Sequence, residues 1–186
     1  ANNICIGEPT GTEISPIVIS EGLADNFFSA NNGNGQSLRL DLPNGFEFTS
    51  AGSAAFTAPS DAVGNTATTS LNNNNQSLLI EYDLCNSDGC TATTGQTDEL
   101  TIAGLEVIAT TEVDPTEATF NLVRASGTGG NNDAVMPGIG AGTTFATLTV
   151  AEGPNVILTD LSRDVTIEEG VTLCPGGNLV ISAALD

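Results

Sequence analysis

Apolar and polar residues alternate along several short segments of the chain. In the segment SLRLDL, Leu38, Leu40 and Leu42 are separated by polar residues, and SLLIEYDL repeats the pattern from residue 77. A period of two buries one face of a β-strand and leaves the other in water. Similar runs at PIVIS, GFEFTS, ATFNLVRA and TFATLTV predict further strands.

One of these segments breaks its own alternation. In LTIAGLEVIA the apolar phase slips between Ile102 and Leu105, and Gly104 lies at the slip. An extra residue in one strand of a pair has this effect, and glycine is common there. The pattern predicts a β-bulge at Gly104.

The breaks between the runs are rich in glycine and asparagine, at 31–35, 72–75 and 127–133, and no window keeps an apolar period of about 3.6 residues. We therefore predict an all-β fold, an antiparallel β-sandwich of immunoglobulin- or cohesin-like architecture, with a C-terminal strand extension. The inward positions, which we expect to be buried, are Leu38, Leu40, Phe46, Phe48, Leu78, Ile80, Tyr82, Leu100, Ile102, Leu105, Val107, Phe120 and Leu122.

The last part of the chain has a different sequence pattern from the rest. We expect residues 1–150 to form the sandwich and residues 151–186 to form a connector with two strands, in NVILTDL and NLVISAAL. Exposed apolar strands invite pairing with other chains, so something must cover them. They pack on their own sandwich, open a next module, or add to a neighbouring copy, and we rank the last two together above the first.

The charge balance excludes several partners and chemistries. The chain has 3 Lys+Arg against 23 Asp+Glu, a formal net charge of -20, and neither histidine nor lysine. Nucleic-acid binding draws on cations that neutralise phosphates, so nucleic acid is not an expected partner, and no segment is apolar enough for membrane insertion. Without histidine or lysine there is no Ser-His-Asp triad and no Schiff base. We expect no enzymatic activity.

The order of several weak motifs resembles that in a known family. The segments CIGEPTGTEISPIVISEGLADNFFSANNGNGQSLRLDLPNGFEFTSAGS, LTIAGLEVIAT, NLVRASGTGG and TTFATLTV are similar to repeats of giant cell-surface adhesins of gliding Bacteroidota, the SprB-like proteins. The tail, with LCPGGNLVISA, resembles the opening of an immunoglobulin-like module. The resemblance implies an extracellular, cell-surface role in attachment or gliding. It carries no catalytic residues.

Cys85 and Cys90 flank the polar segment NSDG. A zinc site would need two more soft ligands nearby, and a redox pair has Cys-x-x-Cys at a helix start. In an extracellular setting, a disulfide across a polar turn is the favoured reading, and it is the one we predict for this pair.

Cys5 and Cys174 leave more than one reading open. Paired, they would close a loop of about 170 residues, worth roughly 4–5 kcal/mol in the chain-entropy model. As equivalent positions of successive modules, each would instead seek a partner in its own module. Free thiols are the third reading, and we favour pairing.

Acidic residues in loops provide candidate calcium ligands. Asp114 and Glu117 lie in VDPTE, Asp98 lies in TDE, and Asp88 lies between the two paired cysteines. Calcium takes about six to eight oxygen ligands, which carboxylates and loop carbonyls supply. No cofactor is required for the expected role, and Ca²⁺ is the one candidate ion. The other reading is a solvated acidic surface that keeps the protein soluble.

Two functions from different classes follow. The first is a structural or adhesive repeat of a surface adhesin or filament, whose partners are neighbouring modules or copies of the same protein. The second is a cohesin-like module that binds carbohydrate or protein, with surface glycans as ligands and with or without calcium. The shortage of aromatic side chains, with no tryptophan and one tyrosine, weighs against sugar binding.

Overall fold

The computed structural model describes residues 2–20, 22, 35–56, 66–83, 99–114, 116–117, 119–126, 132–134, 136, 138–151, 156–158 and 179–181. These residues form strands and turns, with no helix among them. The strands are β1 (Asn2–Cys5), β2 (Thr12–Glu13), β3 (Ile17–Ser20), β4 (Gln36–Asp41), β5 (Phe46–Phe56), β6 (Thr66–Asn72), β7 (Ser77–Asp83), β8 (Glu99–Ala109), β9 (Phe120–Arg124), β10 (Asn132–Asp133), β11 (Thr144–Ala151), β12 (Val156–Leu158) and β13 (Leu179–Ile181).

The larger sheet has seven strands in the order β1-β11-β9-β4-β7-β6, with β10 beside β4. Two strands share one edge of β4. Leu40 and Asp41 pair with β9, whereas Gln36 and Ser37 pair with β10. The opposite edge of β4 pairs with β7 along its whole length. The contacts of β1 with β11 and of β10 with β4 are parallel, and the other pairs are antiparallel.

The smaller sheet is built around β8. Strand β5 pairs with one edge of β8, and β2 and β3 pair with successive parts of the other edge. The amide of Ile14, just after β2, donates to the carbonyl of Leu105, so the chain follows β8 between the two short strands.

The two sheets face each other across one apolar core. All thirteen side chains that the alternation places inward are buried, so that prediction is confirmed. Aromatic rings join the sheets, since Phe46 of β5 lies 4.9 Å from Phe120 of β9, and Phe56 lies 5.8 Å from Tyr82 of β7, between ring centroids. The predicted all-β sandwich is thereby confirmed.

The smaller sheet changes phase along one line, which we call the crease. Along this line, inward positions are three residues apart, and not the usual two, in each of three neighbouring chain segments. The buried or half-buried pairs that flank the crease are Ile14 and Ile17, Ala51 and Ala54, and Ile102 and Leu105. The phase slip read at Gly104 is therefore present, and it extends across the whole sheet.

The inserted residue lies in a different place from the one predicted. The register between β5 and β8 shifts between Phe48 and Ser50, so Thr49 of β5 is the extra residue. Across Gly104 the register of β8 with β5 stays constant. At Gly104, β5 and β8 change their inward phase together, so there is no extra residue there. The predicted β-bulge at Gly104 is therefore wrong, and the bulge lies in β5.

Two glycines opposite each other make the crease. Gly52 and Gly104 have φ of 57° and 70°, a left-handed conformation that side chains with Cβ rarely adopt. A Cβ on Gly52 would lie 2.2 Å from the carbonyl oxygen of Ala103, whereas one on Gly104 would approach nothing closer than 3.7 Å. The hydroxyl of Ser50 donates to the Gly104 carbonyl at 3.0 Å and accepts from the Gly52 amide at 3.1 Å.

The larger sheet has its own unusual backbone in the turn between β6 and β7. Asn73, Asn74 and Asn75 all have positive φ, between 51° and 63°. Asparagine tolerates this region better than other residues with a side chain. The Asn75 carbonyl accepts from the Phe48 amide of the smaller sheet at 2.8 Å, so the turn also joins the two sheets. The predicted break at 72–75 is thus a turn with a packing role.

The tail contains a strand in each of the two segments where the sequence predicts one. Strands β12 and β13 pair in parallel, with Val156 opposite Leu179 and Leu158 opposite Ile181. The domain boundary at 150 and the partner that covers these strands remain predictions. Within the described part of the chain, no helix has the length and apolar character needed to cross a membrane.

Candidate functional site

A buried cation lies at the end of β9, a strand in the middle of the larger sheet. Arg124 ends β9, and its alternation with Phe120 and Leu122 turns it inward, where it is 7% exposed. Its Nη1 donates to the Ile139 carbonyl, and its Nη2 donates to the Ala134 carbonyl.

The same guanidinium also makes an ion pair, with Nη2 of Arg124 3.1 Å from Oδ1 of Asp133. A buried charge is tolerated only when it is paired and hydrogen-bonded, and here both conditions are met. The group therefore ties the segment around β10 to the end of β9.

A cavity of about 280 Å³ opens beside this ion pair. Its lining combines the charged pair with small and apolar side chains, and its residues are Arg124, Ala125, Ser126, Asp133, Ala134, Met136, Ile139, Gly140 and Ala141. The volume is at the lower limit of ligand sites. Among the described residues of this lining, Asp133 is the one carboxylate, so these residues alone do not supply the opposed carboxylate pair that glycoside hydrolysis uses.

The two calcium candidates in VDPTE share one exposed turn. The backbone amide of Glu117 donates to the Asp114 carbonyl at 3.2 Å, which brings the ends of the turn together. Oδ1 of Asp114 accepts from the Thr116 hydroxyl at 2.7 Å and from the Thr116 amide at 2.9 Å. These hydrogen bonds, that of the hydroxyl first, hold the pKa of Asp114 below its ordinary value because they favour the ionised form.

Among the residues that the structure describes, no further acidic side chain joins Asp114 and Glu117 at this turn. Asp98 and Asp88 lie outside the described residues, so their distance from Asp114 stays open. Among the described residues, no three acidic or cysteine side chains gather as a metal site would need. Calcium binding at Asp114, Glu117, Asp98 and Asp88 remains a prediction.

Of the cysteines, Cys5 alone lies in the described part of the chain, and it is disulfide-bonded. Cys85, Cys90 and Cys174 lie outside that part, and so does the sulfur to which Cys5 is joined. The pairing of Cys5 with Cys174 and that of Cys85 with Cys90 both stay predictions.

A second arginine makes a different kind of contact. Arg39 lies on the outward face of β4 and forms a two-bonded ion pair with Asp41. Its Nε donates to Oδ1 at 3.0 Å, and its Nη2 donates to Oδ2 at 3.1 Å. The Ser77 hydroxyl donates to the same carboxylate at 2.8 Å. Both charged side chains are partly exposed, and this cluster holds β4 and β7 together on their solvent side.

Arg124 is not among the site residues predicted from the sequence, although its position along β9 carries a signal. An arginine in phase with Phe120 and Leu122 occupies an inward position, where a charge needs partners. Those partners are two backbone carbonyls and the carboxylate of Asp133 in β10, which no side-chain pattern reveals.

No protein-family model, curated protein or solved structure matches this chain.

Proposed function

We propose that the chain is an extracellular structural or adhesive repeat of a large surface adhesin or filament of the SprB-like kind, non-catalytic, acting in attachment or gliding. The proposal rests on the motif order described above together with one feature of the fold. Strands β1 and β11 are neighbours and run parallel. The start of β1 and the end of β11 therefore lie at opposite ends of this ladder, the arrangement that modules strung end to end require.

The surface chemistry supports the same role. A chain with a net charge of -20 repels its copies at long range, which keeps a dense array of repeats soluble and separate. The disulfide at Cys5 is the kind of cross-link that persists outside the reducing cytosol.

A cohesin-like binding module is the second candidate, and the cavity beside Arg124 favours it. There a ligand hydroxyl would meet Asp133 and Ser126 next to the apolar side chains of Met136 and Ile139. Calcium dependence would come from the turn at Asp114.

A glycan array and a calcium titration, both on the purified full chain, separate the two candidates. The structural repeat should be silent on the array and should show no saturable calcium heat. Saturable glycan binding that Asp133→Ala abolishes would replace the first proposal by the second. For calcium, Asp114→Asn is the test variant, and Glu112→Gln, a neighbouring exposed carboxylate, is its matched control.

A further inference from the structure

Strands β1 and β11 form one short parallel ladder. Its four registered pairs run from Asn2 opposite Leu148 to Cys5 opposite Ala151. Because the strands are parallel, the starting end of β1 and the final end of β11 lie at opposite ends of the ladder.

The chain after β1 is held by both sheets. The amide of Ile6 donates to the Ala151 carbonyl at 3.1 Å, which extends the ladder by one bond. The next amide, that of Gly7, donates to the Ala109 carbonyl of β8 at 2.8 Å, and Ile6 and Ala109 form an isolated parallel bridge. Strand β1 is therefore anchored beyond its own end.

Apolar side chains shield one face of this ladder from water. Ile4 of β1 is 1% exposed and Leu148 of β11 is fully buried, and both belong to the main core. On its other edge β11 pairs with β9, so a load on β11 passes into the middle of the larger sheet. Water competes poorly for backbone hydrogen bonds that lie against a packed core.

We propose that the β1–β11 ladder is a mechanical clamp that resists shear wherever the load enters through β1 and leaves through β11, and not through the disulfide at Cys5. Its biological use rests on the proposed function, but the mechanics belong to the fold alone. Tension that pulls β1 from its starting end and β11 from its final end slides the two strands past each other. All registered pairs, and the extra bonds of Ile6 and Gly7, then resist together.

The opposite loading geometry would be weak. Tension on the starting ends of both strands would separate them one bond at a time, and each backbone hydrogen bond contributes only about 1 kcal/mol net. Forced unfolding is governed by the unfolding rate, so the loading geometry changes lifetime under force without changing equilibrium stability.

A single-molecule experiment compares the two geometries. Full-length chains carry attachment handles at position 1 and at either position 153 (shear) or position 143 (peeling). Cys5→Ser in both chains keeps the disulfide from carrying load. If that variant does not fold, the unsubstituted chain is reduced after folding and measured instead. At equal force we expect a lifetime at least about tenfold longer in shear, equivalent to about 1.4 kcal/mol in the barrier. Equal lifetimes would overturn the proposal.

A matched pair of substitutions locates the clamp. Ile4 and Ile14 are each 1% exposed, but Ile4 lies in the ladder and Ile14 lies beside β8. Ile4→Ala should shorten the shear lifetime several times more than Ile14→Ala, although the two should lower equilibrium stability similarly. Equal shortening would overturn the assignment to this ladder. These results do not depend on where the protein is displayed, so failure of the clamp and failure of the proposed function are distinguishable.

Discussion

The two sheets of the sandwich bury the same kind of side chain by different backbone means. In the larger sheet, β4, β7 and β6 keep one register over all their pairs, and simple alternation suffices to fill the core. In the smaller sheet, the crease shifts the inward phase of three segments at once and needs left-handed backbone at Gly52 and Gly104. The regular β4–β7–β6 group should therefore tolerate residue substitutions that the two glycines of the crease do not.

The largest effect should come from the crease itself. Gly52→Ala places a Cβ against the Ala103 carbonyl in a left-handed residue, and we expect a loss of about 3–4 kcal/mol in the free energy of unfolding. Gly104→Ala is the matched control, because its Cβ has room, and should cost only about 1–2 kcal/mol. Urea titrations of both variants measure the difference. Equal losses would mean that conformation, and not close approach, limits the crease.

The alternation predicts the core well because burial needs only an apolar side chain every second residue. It misses β6 at the border of the sheet, where Thr66, Thr68 and Ser70 are exposed and the residues between them are only half-buried. It misses β10 because two residues inside a glycine- and asparagine-rich break pair with the edge of β4 that β9 leaves open. The crease was visible at Gly104, but the inserted residue in β5 was not, because a bulge depends on the partner strand.

The candidate site was less predictable than the fold. Arg124 is held by main-chain carbonyls whose position depends on the folded loop. The sequence identifies Asp114 as a loop carboxylate. Its hydrogen bonds to Thr116 are local, however, and do not show which other residues would complete a metal site.

The next largest effect compares the inward and outward faces of the larger sheet where β9 meets β4, because Arg124 pairs with Leu40, the neighbour of Arg39. Arg124→Met leaves two carbonyls without their donor, and we expect a loss of about 2–3 kcal/mol. Arg39→Met removes a partly exposed ion pair with Asp41 and should cost no more than about 1 kcal/mol. Thermal and urea unfolding of the two variants measure the loss of unfolding free energy in each. A larger loss for Arg39→Met would contradict the structural role given to Arg124.

The smallest effect concerns the asparagine turn, the one part of the regular β4–β7–β6 group with left-handed backbone. Asn74→Ala should lower the free energy of unfolding by about 1 kcal/mol. Alanine lacks the polar side chain by which asparagine offsets the cost of left-handed backbone. Asn74→Gly should be within a few tenths of a kcal/mol of the natural chain, since glycine adopts positive φ freely. Melting temperatures of the pair measure the contrast. A glycine variant as unstable as the alanine variant would indicate that the Asn74 side chain itself is needed.

The measurement that tests the functional account most directly is surface proteolysis of intact cells that express the natural protein. Protease applied to intact cells, followed by mass spectrometry of the released peptides, reports which chains are displayed outside. We predict that peptides of this chain appear in the released fraction before any cytosolic marker does. Peptides that appear only after lysis would contradict an extracellular structural repeat.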